Sequence, residues 1–196
     1  MLARIAHELF WLGRNLARAE HTARMLDGIF HSSLQGRPDD PAGVTLDWGS
    51  MLAIMGAPPG TGPARRDEVL RALTLEPDNP TSVIACIGRA REGARTVRDV
   101  ISAEMWEAVN TTNLTLISSH PPDLLGGRPS AVYSYVKERC ALFWGLTSRT
   151  MLRDEASAFL AAGGRIESAD MVLRMLRVAL PPGVPEPSSK IGRAHV

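Results

Sequence analysis

One apolar stripe dominates the start of the chain. Leu2, Ile5, Leu9, Leu12, Leu16, Ala19, Ala23, Leu26 and Phe30 follow one another by three or four residues without a break. That spacing places all of them on a single face of one α-helix over residues 2–34. A helix this long cannot shelter its stripe by itself, so the rest of the chain must supply partners for it. Gly13 interrupts it at a cost of about 1 kcal/mol against alanine. A close approach by another backbone explains that glycine, as does tolerance of an exposed position.

The remaining segments carry the same periodicity, and alternating strand patterns are hard to find. Trp48 to Met55 and Arg66 to Leu75 read as short helices, with residues 57–64 a Pro- and Gly-rich loop between them. Asn79 as N-cap and Pro80 in the first turn open a long helix to about Leu116. Along it Val83, Ile87, Ala90, Ala94, Val97, Ile101 and Ala108 share a face, with Glu104 in the same register. Further helices are expected over about Ser130–Thr147 and Asp154–Leu180, with Gly163 and Gly164 a weak point in the last. The expected fold is all-α: a multi-helix bundle of four main helices and one or two short ones, forming a single domain over residues 1–180. Residues 181–196 show no amphipathic pattern and read as a disordered or artefactual tail.

Composition narrows the function classes. Lys plus Arg is 22 against 21 Asp plus Glu, so the formal charge is +1 and no polyanion-binding footprint is expected. Cys86 and Cys140 each lie in an apolar run and read as buried, reduced thiols. No uncharged apolar run reaches 18 residues, and the N-terminus lacks the features of a secretory signal, so the expected location is the cytoplasm.

The chain echoes itself at an offset of 150 residues. Gly13 matches Gly163, Leu16 matches Ile166, Ala19 matches Ala169, Glu20 matches Asp170, and Arg24-Met25-Leu26 matches Arg174-Met175-Leu176. Two related helices in one bundle account for this, and so does chance similarity between amphipathic helices. The acid and the arginine are four apart in both copies, which permits a same-helix ion pair.

Nothing in the sequence has the spacing of a familiar catalytic site. His7-Glu8 lacks the second histidine of a zinc-protease helix, the histidines are too scattered for a metal site, and the Gly-rich loop has no phosphate-gripping Lys. No metal and no cofactor is expected. The densest polar cluster lies in residues 89–110. Arg91, Arg95, Arg98 and Ser102 fall on one ridge, with Glu92 and Asp99 beside it. This is either a solvated face or a surface that receives a carboxylate, a phosphate or an acidic partner.

At three blocks the chain resembles the alpha-E family, an all-helical domain of bacterial proteins named for helices and a Glu-Arg motif. The blocks are LFWLGRNLARAEHTARMLD (9–27), NPTSVIACIGRAREGARTVRDVISAEMWEAVN (79–110) and GLTSRTMLRDEASAFLAAGGRIESADMVLRML (145–176). The motif is eroded differently in each copy. Ala17-Arg18 keeps only the arginine, Glu167-Ser168 keeps only the glutamate, and Gly164 stands where the family pattern favours arginine. The complementary losses lead to the expectation of a cross-helix pair between Arg18 and Glu167.

The resemblance implies an accessory helical partner of a circularly permuted ATP-grasp ligase, in a peptide-ligation or peptide-modification system. Transglutaminase-like and peptidase-like neighbours also occur in the family. ATP binding would then belong to the partner. The alternatives are a catalytic or substrate-binding component that uses Arg91, Glu92, Arg95 and Glu104, or a purely structural bundle. The candidate binding residues are Arg18, Glu20, Arg91, Glu92, Arg95, Arg98, Glu104, Glu167 and Asp170. The resemblance also implies a longer domain. The final IGRAHV matches a translated sequencing-adapter frame, so the chain is expected to be a truncated member, with an apolar face left open to self-association.

Overall fold

In the computed structural model, residues 2–34, 47–56, 64–119 and 129–180 are described. They form seven helices and no strand: α1 (Ala3–Leu34), α2 (Trp48–Met55), α3 (Arg66–Thr74), α4 (Val83–Thr96), α5 (Ala103–Ser118), α6 (Pro129–Thr150) and α7 (Glu155–Ala179). The all-α class stands. The division into four main helices does not, because the helix expected from Asn79 to Leu116 is two. Residues 57–63 of the expected loop, most of the break before Pro129 and the tail over 181–196 lie outside the described residues.

The split between α4 and α5 has a local cause. Thr96, Val97, Val100 and Ile101 are β-branched and weaken helix continuation. Val97 and Ile101 are buried, so the turn folds inward. Ser102 then restarts the chain as an N-cap, its side chain accepting from the backbone N–H of Met105. The start of α4 also differs from expectation. Ser82 is its N-cap, accepting from the Ala85 N–H. Asn79 instead folds the preceding turn, accepting from Thr81 and donating to the Ala72 carbonyl. Asp154 and Ser157 close a reciprocal capping box at the start of α7.

α1 is the central element, packed against α4, α6 and α7. Its stripe from Leu9 through Leu26 is fully buried, whereas Leu2 at the entry is exposed. The short helices α2 and α3 add Met51, Ile54, Val69 and Leu73 to the same core. Tyr133 of α6 shares a 2.9 Å hydrogen bond with Thr74 of α3, and burial pushes its hydroxyl up to about 12. Cys86 and Cys140 are buried free thiols; burial pushes Cys86 up to about 11.

α1 and α7 run in the same direction, since α1 residues nearer its start meet α7 residues nearer its start: Phe10 lies on Gly163, and His21 reaches Ser168. A Cβ on Gly13 would overlap the Leu160 carbonyl, and one on Gly163 would overlap the Phe10 carbonyl. Those contacts are equivalent under the 150-residue offset, because Leu160 is the counterpart of Phe10. The echo is therefore a pseudo-two-fold helix pair with glycine at its crossing. Gly163 and Gly164 are the tight point of α7 and not its weak point.

Glycines in open positions provide an internal control. Nothing lies within 4 Å of a Cβ built on Gly28, in the same helix as Gly13. Gly13→Ala should lose at least about 1–3 kcal/mol from overpacking against backbone. Gly28→Ala should gain about 0.5–1 kcal/mol from helix propensity and reduced unfolded-state entropy. Urea denaturation of both variants checks this, and equal effects at the two sites would contradict the crossing geometry.

Candidate functional site

The close crossing at Gly13 brings polar side chains of α1 and α7 together one turn further on. Glu167 is 1% exposed, a carboxylate inside the helix interface. Arg18 meets it in fork-to-fork geometry, Nε to Oε1 at 2.5 Å and Nη2 to Oε2 at 2.9 Å. Arg14, one turn earlier on α1, donates to Oε2 from Nε at 2.8 Å and from Nη2 at 2.7 Å. Both carboxylate oxygens are thus bound by guanidinium groups, the geometry that makes such pairs strong. Burial tends to lower the pKa of Arg18, but the hydrogen bonds and charge of Glu167 outweigh it and raise the value above ordinary. The expected Arg18–Glu167 pair forms, and Arg14 joins it.

The flanking acids serve as satellites. Asp170 pairs with Arg174 at 3.0 Å and lies 3.9 Å from Arg14. Glu20 pairs with Arg24 at 2.7 Å. Both are the same-helix pairs that the spacing anticipates, and an exposed pair of this kind contributes only about 0.3–0.5 kcal/mol. Arg14 also lies over the rings of Phe10 and Trp11, at 6.0 and 5.2 Å from their centroids.

The second polar cluster is arranged differently from the sequence pattern. Arg91 bonds Glu92 and, across to α5, the Asn110 side chain at 2.9 Å. Arg95 bonds Glu92 at 2.9 Å, and that guanidinium is the main reason the Glu92 carboxyl sits below its usual range. Arg98 lies in the turn after α4, and Ser102 is a cap, so the four residues are not one helical ridge. Arg91 and Arg98 instead flank the Trp106 ring, at 5.7 and 5.5 Å. Glu104 leaves the apolar register because the break resets it. It is exposed in the first turn of α5, where the backbone and Ser102 hold its carboxyl low. The clamp formed by Arg14, Arg18 and Glu167 and the Arg91–Trp106 cluster are separate features. Among the described residues, no three His, Cys, Asp or Glu side chains gather as a metal site requires, and no helix is long and apolar enough to cross a membrane.

A family model described as a predicted alpha-helical domain with a conserved ER motif matches residues 1–193. The chain belongs to the Alpha-E family. It is 27% identical over 195 residues to an uncharacterized protein of Mycobacterium bovis, and 27% and 26% identical to two uncharacterized proteins of Mycobacterium tuberculosis. Each match covers 90% of this chain and 22% of the relative, so the chain spans about a fifth of their length. No solved structure matches it.

In this Alpha-E chain the Glu–Arg partnership runs between helices, and only half of a symmetric arrangement is present. Under the 150-residue offset, Arg14, Arg18 and Glu167 map to Gly164, Ser168 and Ala17. Those three carry no charge. Trp144 presses its ring edge where a Gly164 side chain would start, 2.8 Å from a built Cβ. Ser168 donates to the Gly164 carbonyl at 3.0 Å, which leaves its oxygen to accept from His21 Nε2 at 2.9 Å. Burial holds His21 below its usual value.

Three buried or half-buried contacts escape the sequence reading. Arg14 stands outside the Glu-Arg positions; its signal is the four-residue spacing to Arg18. Lys137 pairs with Asp27 at 2.7 Å across α6 and α1. Glu138-Arg139 is the one adjacent Glu-Arg in the sequence, and Arg139 bonds Thr112 Oγ1 and the Ala108 carbonyl, joining α6 to α5.

The missing half can be rebuilt in part. Ala17→Glu alone places an unpaired carboxylate in the interface and should lower stability. Adding Ser168→Arg should restore at least half of that loss in urea denaturation; a double variant with the summed loss would remove the symmetry argument. His21 gives a pH signature. Its unfolded value is 6.5 and its folded value lower, so its stabilising contribution is whole above about pH 6.5 and declines as pH falls from there toward the folded value. His21→Gln should flatten that decline in melts taken across the range.

Proposed function

We propose that this chain is a non-catalytic helical domain that acts by binding a circularly permuted ATP-grasp ligase in a peptide-ligation or peptide-modification system. The observation that supports the reading is the closure of the polar centre. Glu167 is buried and both its oxygens are taken by Arg14 and Arg18, so its carboxylate joins helices and is not poised to move a proton. The groups left to meet another molecule are on the surface. Arg98 is exposed beside Trp106, and Arg95 is exposed next to Glu92, the carboxylate that balances Arg91 and Arg95. The ATP-grasp partner follows from family resemblance, and nucleotide chemistry belongs to that partner.

Titration calorimetry of the purified chain against the ATP-grasp protein encoded beside its gene tests this. A saturable complex is expected. Arg91→Glu with Arg95→Glu should weaken it at least about tenfold, the scale on which charge reversal at an interface acts, while circular dichroism shows the bundle still folded. Absence of a complex would overturn the reading. So would ATP turnover or peptide modification by the helical chain alone, which would favour a catalytic role.

A further inference from the structure

α7 has two apolar faces on opposite sides. The inner face carries Leu160, Gly163, Gly164, Glu167 and Met171 into the interface with α1. The outer face carries Phe159, Ile166 and Leu173 at strict seven-residue intervals, 42%, 48% and 65% exposed, and Leu180, 54% exposed, caps the helix one interval later. Ala162, Ala169 and Leu176 fall three residues after the first three of these. The steps along the outer face are therefore three and four throughout, the a and d positions of a coiled-coil seam. Single exposed leucines are ordinary on a protein surface, but a continuous seam is not.

The borders of the seam indicate what fits it. Arg165 stands on one side and Arg177 on the other, at the positions that flank a heptad core. Both are exposed, and neither has a carboxylate partner among the described residues. Asp170, which falls at a border position, is already held by Arg174, and Glu155 lines the cleft at the start of the helix. The borders thus present unanswered positive charge. The seam also has a defined end. Phe159 lines an open cleft of about 700 Å³ between the starts of α1 and α7, together with Phe10, Ala158 and His7.

We propose that the outer face of α7 is a docking surface for an amphipathic α-helix of a partner protein. The helix would carry an apolar heptad seam bordered by Asp and Glu, with one end seated in the cleft at Phe159. Strict 3.5-residue spacing selects a helix as the occupant, because only a helix meets a seam of that period along its whole length. Arg165 and Arg177 select acidic borders and disfavour a second copy, which would bring its own arginines to the interface.

The probes are two designed helical peptides with Leu at every a and d position, one bearing Glu and the other Lys at e and g. Fluorescence anisotropy of each is followed as the full chain is added. The Glu peptide should bind at least about tenfold more tightly than the Lys peptide, as expected for border charges that set partner choice. Arg165→Glu with Arg177→Glu should reverse that preference. Ile166→Asp with Leu173→Asp should abolish binding while circular dichroism shows the bundle intact, because these side chains lie outside the core. Equal binding of both peptides, or binding that survives the two aspartates, would overturn the proposal. Two further results would overturn it by naming another occupant. One is seam-dependent dimerisation of the chain in sedimentation equilibrium. The other is seam-dependent binding to vesicles of phosphatidylcholine and phosphatidylserine.

Discussion

A single buried carboxylate organises the contact on which the bundle is built. Glu167 lies between α1 and α7, where water cannot answer its charge, and Arg14 and Arg18 answer it instead. Burying three charged groups is costly, and the attraction offsets that cost only with complete hydrogen bonding. Complete bonding in turn needs the two helices at one depth and one rotation. Gly13 and Gly163 permit the depth by letting each backbone touch the other. The clamp and the glycine crossing act together: the glycines bring the axes close, and the ion pairs fix their register.

The architecture follows from interactions that repeat with a period, and these were readable in the sequence. The stripe of α1, the short α2 and the start of α7 at Asp154 lie where periodicity and caps put them. The break between α4 and α5 was hidden because Val97 and Ile101 keep the apolar register through it. Only the inward turn and the cap at Ser102 reveal that the helix has ended. At the site, complementary losses in the two motif copies pointed to Arg18 with Glu167. Arg14 was not legible, since a second arginine one turn away reads as surface charge until the partner helix is placed. The Arg91–Arg98 ridge failed for the same reason as the long helix: its spacing presumed a helix that the turn interrupts.

The chain thus separates an inward polar feature from outward surface features. The clamp is spent on holding α1 to α7. The other side of α7 continues as an apolar seam with arginine borders, and Arg91 of α4 and Arg98 of the turn after it flank Trp106 of α5.

The measurement closest to the centre of this account is a double-mutant cycle on Arg18→Ala and Glu167→Ala, read by urea denaturation. Removing Glu167 leaves two guanidinium groups without their counter-charge, a loss of about 3–5 kcal/mol for a buried pair. With Glu167 already gone, removing Arg18 should cost far less than it does in the intact protein, or should stabilise. The predicted coupling is at least about 1 kcal/mol, as expected for residues in one buried network. Additive losses would show that α1 and α7 are held by their apolar and glycine contacts alone, and would contradict the role assigned to Glu167.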